Sequence, residues 1–198
     1  MDITQDSLER VFRALNAHLS FTKAEQYHIV VCGGAALMAL QYVTRVTRDV
    51  DIVALRDAEG ALRSPSPLPQ ALLEAADTIA PEFGLEKGWL NNGPSSDEGG
   101  LYQMGLPQGF LERLHHHRYG EHLTVSYVGR IDQICFKLYA AADRGGYHIT
   151  DLQALKPNDE EVLLAARWSM THDTSEGYKG VLKTLLKELG YERVSHQI

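Results

Sequence analysis

Cysteine is scarce in this chain: there are two, Cys32 and Cys135, among 198 residues. Each sits in an apolar run, VVCGG or QICFK, without CxxC spacing, so the pattern offers neither a disulfide framework nor a zinc site. Both read as small buried hydrophobes suited to a reducing compartment. No apolar run approaches the roughly 20 residues that a membrane span needs. The start, MDITQDSLERVF, is acidic and polar rather than leader-like. These features predict a cytoplasmic protein with no membrane partner. Basic residues are also in deficit, 19 Lys and Arg against 26 Asp and Glu, for a net charge of −7. Such a chain is a poor non-specific ligand for nucleic acid, where clustered cations are required. There is no internal repeat, no low-complexity segment, no GxxxxGK[ST] loop and no GxGxxG turn.

What is present is a patterned globular chain. DSLERVFRALNAHL predicts a helix, capped by Asp6 or Ser7, with Leu8, Val11, Phe12, Leu15 and Leu19 on one face. HIVVC at 28–32 predicts a buried strand. It is broken by Gly33-Gly34 and followed by a helix over AALMALQYV. DVDIVAL at 49–55 predicts a second strand, with Asp49, Asp51 and Val53 on one side. RDAEGALRSPSPLP reads as a turn-rich connection, LPQALLEAADTIAPEFG as a helix and WLNNGPSSDEGG as a loop. LTVSYVG alternates as a strand and IDQICFKLYAAADR is helical. GGYHITDLQAL reads as a loop leading into a short helix. Two more helices follow, capped by Asn158 and Ser175, the second ended by Gly190. The expectation is an α+β fold: a small mixed sheet flanked by helices over 1–130, with a helical part over 131–198 packed on it.

The chemistry concentrates between the first strand and the second. Carboxylates at i and i+2 of a strand point the same way, with Cα atoms ~6.5 to 7 Å apart. They can converge on one hard cation, which suits magnesium. Two like charges on an apolar strand are a poor choice for stability alone, although the same pair fits a strand start facing solvent. Glycines between strand and helix let a backbone close on a phosphate; they also fit an ordinary tight turn. Arg45 can neutralise phosphate or form a structural ion pair, whereas Arg48 faces away. Trp89 packs on the core or stacks a base, the first being favoured. His115, His116 and His117 cannot all face one metal from a regular element and read as an exposed loop or strand. His148 reads as a surface residue.

GGAAL followed by RVTRDVDIV resembles the nucleotidyltransferase superfamily, of DNA polymerase β-like fold. The Arg-x-Thr-x-Asp-hydrophobic-Asp form is similar to its AbiEii/MenT-type branch and to small bacterial nucleotidyltransferase-like proteins. The WLN turn at 89–91, Lys137 in a helix and the pair Asp151-Leu152 fit those relatives, over residues 28–156. The resemblance implies that Gly33 and Gly34 cradle a triphosphate beside Arg45 and Thr47. Asp49 and Asp51 would hold Mg2+ (or Mn2+), Lys137 would contact phosphate, and Asp151 would be third carboxylate or base. Lys137 equally fits a helix lysine whose head snorkels to water. The superfamily's usual third carboxylate lies on a strand, and LTVSYVG has none; Asp151 serves only if its loop folds back. The activity implied is transfer of a nucleotidyl group from a nucleoside triphosphate to a hydroxyl of an RNA end, a protein or a small molecule. In the toxin branch an antitoxin partner restrains the enzyme. The alternative is a catalytically inactive nucleotide- or protein-binding module of the same fold, such as one partner of a toxin–antitoxin pair.

Overall fold

Apolar β-branched runs build the centre of a sheet in the computed structural model, which describes residues 2–198. The chain forms two units, divided after Val128 except that Pro107–Phe110 belong with the second. In the first unit, helix α1 (Gln5–Phe21) is followed by β1 (Tyr27–Cys32), α2 (Gly33–Ala39), β2 (Val50–Arg56) and β3 (Leu62–Arg63). Then come α3 (Gln70–Ile79), β4 (Leu90–Asn91), α4 (Leu101–Met104), β5 (His115–Arg118) and β6 (Leu123–Tyr127). The second unit carries α5 (Arg130–Arg144), α6 (Tyr147–Ala154), α7 (Asp159–His172), α8 (Glu176–Glu188) and α9 (Glu192–Ser195). Helix outweighs strand, 52% to 14%, and the strands all lie in one mixed sheet, so the class is α+β.

The sheet runs β3-β2-β1-β6-β5, with β4 beside the start of β2. β1 and β2 are antiparallel, pairing Cys32 with Asp51, and a bulge at Val30/Val31 leaves Val53 without an opposite residue. β1 and β6 are parallel. One face of the sheet carries Ile29, Val31, Ile52, Leu123 and Val125 against the apolar stripe of α1 and against Leu72, Ala76 and Ile79 of α3. Each large side chain so buried contributes about 1.5–3 kcal/mol. Trp89 belongs to this core: its ring lies 6.5 Å from that of Phe12 and its indole N–H donates to Ala76 O at 3.0 Å. Packing is therefore its role, not base stacking.

Side-chain caps open three of the helices, α1, α7 and α8. The N-cap of α1 is Thr4, two or three residues before the predicted Asp6 or Ser7; Ser7 completes a capping box from the third position instead of capping itself. Asn158 and Ser175 cap α7 and α8 as predicted. The second unit is held by α5 against α7. There the Arg130 guanidinium grips the Glu161 carboxylate and donates to Leu155 O, and this pairing holds the Glu161 carboxyl below its ordinary range.

Candidate active site

The two glycines sit where β1 turns into α2, and each is crowded by the motif that follows them. Gly33 has φ +65, which glycine adopts without strain. A Cβ at this position would lie 2.7 Å from Asp51 Oδ2. A Cβ on Gly34 would lie 2.9 Å from Thr47 Oγ1 and 3.2 Å from an Arg45 guanidinium nitrogen. Thr47 Oγ1 in turn reaches Asp49 Oδ1 at 3.2 Å. Gly33, Gly34, Arg45, Thr47, Asp49 and Asp51 thus form one cluster, Asp51 lying against the Cβ-less side of Gly33 and Asp49 linked to Thr47 by its hydroxyl.

Local structure differs from expectation at Asp49. The strand begins at Val50, so Asp49 stands just before it, exposed, while Asp51 is half-buried within it. The reason lies at Thr47, which forms an isolated bridge with Ile3: Ile3 N–H donates to Thr47 O at 2.6 Å and Thr47 N–H to Ile3 O at 3.1 Å. Leaving that bridge, the chain bends before joining the sheet. Ile3 is fully buried. Nothing in the sequence marks this pairing, because a lone bridge has no periodicity. Arg48 points to solvent, with its closest carboxylate Asp2 at 3.6 Å.

Lys137 and Asp151 lie in the second unit. They meet each other there: Lys137 Nζ is 2.7 Å from Asp151 Oδ2, with side chains 5% and 1% exposed. Lys137 Nζ also lies 5.5 Å from the Tyr147 ring centre. The lysine does not snorkel, and Asp151 does not reside in a loop. Gly145-Gly146 precede α6, and YHIT is its first half; the helix buries His148, Asp151 and Leu152. His148 is accordingly an interior residue, only 8% exposed. Asp132, after the last strand, is buried in the first turn of α5.

The sheet face that carries Asp51 also carries a polar row that the sequence did not reveal. Ser126 Oγ lies 2.5 Å from His28 Nε2 and 2.6 Å from His116 Nδ1, and Arg56 Nη1 lies 3.3 Å from His116 Nε2. Arginine only donates, so His116 Nε2 accepts and its Nδ1 carries the proton. Ser126 Oγ then accepts from His116 Nδ1 and is hydrogen-bonded to His28 Nε2 as well. Burial, helped by Arg56, pushes the His28 imidazole down to about 4 and lowers His116 as well. His115, His116 and His117 lie on exposed edge strand β5, and among the described residues no group of three or more His, Cys, Asp or Glu is placed to hold a metal.

Residues 6–171 match the model of a family described as nucleotidyltransferase of unknown function (DUF6036), and the chain belongs to that family. The match places it in the nucleotidyltransferase superfamily. No curated protein and no solved structure matches the chain. No helix among the described residues is long and apolar enough to cross a membrane.

Proposed function

We propose that the protein is a metal-dependent nucleotidyltransferase whose reacting centre is built from Gly33, Gly34, Arg45, Thr47, Asp49 and Asp51. The supporting observation is the fit between the two halves of the motif: Asp51 Oδ2 stands where a Cβ on Gly33 would crowd it, and Thr47 Oγ1 stands likewise against a Cβ on Gly34. A tight turn that served only connectivity needs no carboxylate against its backbone. Hard oxygen donors suit Mg2+ or Mn2+, and the exposed Asp49 and half-buried Asp51 are the residues that would hold it. Bound there, such an ion would neutralise phosphate charge and acidify an acceptor hydroxyl. The chain's own part is positioning. The glycine turn admits the triphosphate, Arg45 offsets its charge, and Thr47 fixes the Asp49 carboxylate. In the reaction an acceptor oxygen forms a bond to the α-phosphorus, the bond to pyrophosphate breaks and pyrophosphate departs, and the hydroxyl proton passes to solvent water. Lys137 and Asp151 enter this reading as a pair that sets the interior of the second unit, with contact to phosphate or base duty requiring that they separate.

The Arg45-x-Thr47-x-Asp49-Val50-Asp51 string supports a place near the AbiEii/MenT-type branch. That place would make an RNA end, a protein or a small molecule the acceptor and an antitoxin a partner. Two buried reduced thiols suit work in the cytoplasm. The test is incubation with α-labelled nucleoside triphosphates, magnesium and total RNA. Magnesium-dependent label transfer that disappears in Asp49→Ala and Asp51→Ala is expected; transfer that survives both substitutions, or chelation of the metal, refutes the assignment. One observation favours the alternative of a catalytically inactive binding module. The Lys137–Asp151 pair is mutually neutralised and buried, so neither group offers itself to a substrate. Triphosphate binding indifferent to magnesium would support that module.

A further inference from the structure

The reading above rests on the flank of Asp51 formed by β1 and the glycine turn. Its other flank is β4, where the register pairs Asp51 with Asn91. Paired residues of neighbouring strands lie about 4.8 Å apart laterally and project from the same face. Asn91 is therefore the side chain beside the Asp51 carboxylate, opposite Cys32 and Gly33. We propose that the Asn91 carboxamide donates a hydrogen bond to a non-bridging oxygen of the substrate's α-phosphoryl group. This rests on the nucleotidyltransferase assignment and adds a substrate-positioning residue to it.

Three observations carry the assignment. Asn91 Oδ1 accepts from Gly93 N–H at 2.8 Å. A backbone N–H can only donate, so the amide orientation is settled: oxygen toward Gly93, Nδ2 elsewhere. The approach is close, since a Cβ on Gly93 would lie 3.0 Å from that oxygen. Second, Nδ2 makes no hydrogen bond among the described residues, although Asn91 is half-buried. Third, its neighbours are anchored. Trp89 and Leu90 are almost fully buried, and Asn92 Nδ2 donates to Pro65 O at 2.9 Å. The result is a rigid group with its acceptor occupied and only donors to offer. Phosphate oxygens only accept, so they are the complementary ligand. A neutral amide also adds no charge that would compete with Asp51 for a cation.

The rival role is a turn cap, in which only Oδ1 matters. Asn91→Asp separates the two, because aspartate keeps the acceptor for Gly93 N–H and loses the donors; Asn91→Ala loses both. Calorimetric titration with ATP, GTP, CTP and UTP, each with magnesium, gives the readout, with thermal midpoints as the fold check. The expected result is binding about 10- to 100-fold weaker in both variants, with both folded and the Asn91→Asp midpoint lowered only by its new carboxylate beside Asp51. Rp and Sp α-phosphorothioate analogues add a readout that a cap would not move. The wild type should discriminate them by a ratio that shrinks in Asn91→Ala, because sulfur accepts hydrogen bonds poorly. Wild-type affinity in either variant, or an unchanged phosphorothioate ratio, overturns the role of Asn91 and leaves the transferase assignment standing. A wild type that binds none of the four triphosphates with magnesium overturns both.

Discussion

Gly33→Ala tests the geometry on which the site rests. An alanine at φ +65 occupies the left-handed region at a cost of about 1–2 kcal/mol. Its Cβ would also stand 2.7 Å from Asp51 Oδ2, where the Asp51 Cγ is 3.6 Å away and its Cβ 3.7 Å. Only the terminal oxygen overlaps, so turning the carboxylate relieves much of the clash. That puts the packing cost at the low end of the overpacking range, about 1 kcal/mol. The sum is a loss of about 2–3 kcal/mol for Gly33→Ala, a large share of a typical domain's stability. Asp51→Ala removes the offending oxygen, so the double variant should retain only the backbone cost. The coupling energy in the cycle is then about 1 kcal/mol. Urea unfolding followed by circular dichroism measures it, provided the slope m stays constant across the four proteins. A Gly33→Ala midpoint equal to wild type would refute the left-handed turn. A coupling of zero would refute the contact with Asp51. The same turning of the carboxylate should abolish nucleotidyl transfer, because the cost avoided in packing reappears as a misaimed metal ligand.

Two further outcomes follow from groups elsewhere in the fold. His28 is held neutral with its pKa pushed down to about 4, against about 6.5 when unfolded, so the native state is favoured fully above pH 6.5 and loses that advantage as pH falls toward 4. The imidazole is half exposed, so solvent screening reduces the effect to about 1–2 kcal/mol; a His28→Gln variant should lose this slope between pH 6.5 and 4, and an unchanged pH profile of urea midpoints would contradict the neutral row. Lys137→Met and Asp151→Leu should each cost about 3–5 kcal/mol by stranding a buried charge, while the double variant recovers much of the loss. Additive losses in that cycle would mean that the two side chains do not depend on each other.

The legible part of this chain was the part with period and punctuation. VVC, then Gly33-Gly34, then alternating apolar residues from Val50 onward placed β1, the turn and β2, because β-branched runs and glycine breaks have local causes. The caps Asn158 and Ser175 were readable for the same reason. The family match supports the superfamily that the GG and Asp-x-Asp spacing suggested. What was not readable depends on partners distant in sequence. Ile3 fixes Thr47 through two backbone bonds, and neither residue advertises it. β3, β4 and β5 are two to four residues long and have no hydrophobic alternation. The turn that became the start of α6 has two glycines and β-branched residues, which argue locally against helix. Burial of His148, Asp151 and Leu152 overrides that preference, and once Asp151 is inside, Lys137 goes inside with it.

The arrangement around Asp51 has a cost that stability alone does not explain. On the same sheet face Val30 and Ala54 are fully buried. A carboxylate half-removed from water there loses hydration, and its oxygen occupies the space that a Cβ at Gly33 would need. A sheet selected only to fold would gain from a valine at that position and an ordinary residue in the turn. Retaining both the charge and the glycine couples two costs at one point, and a coupled cost of this kind persists where a ligand offsets it. A cation held by Asp49 and Asp51 would restore the lost solvation, and a phosphate entering over Gly33 would need the space that a Cβ denies. The chemistry proposed for the cluster therefore accounts for the features that its packing leaves unexplained, and it accounts for them with residues that one turn and one strand start bring together.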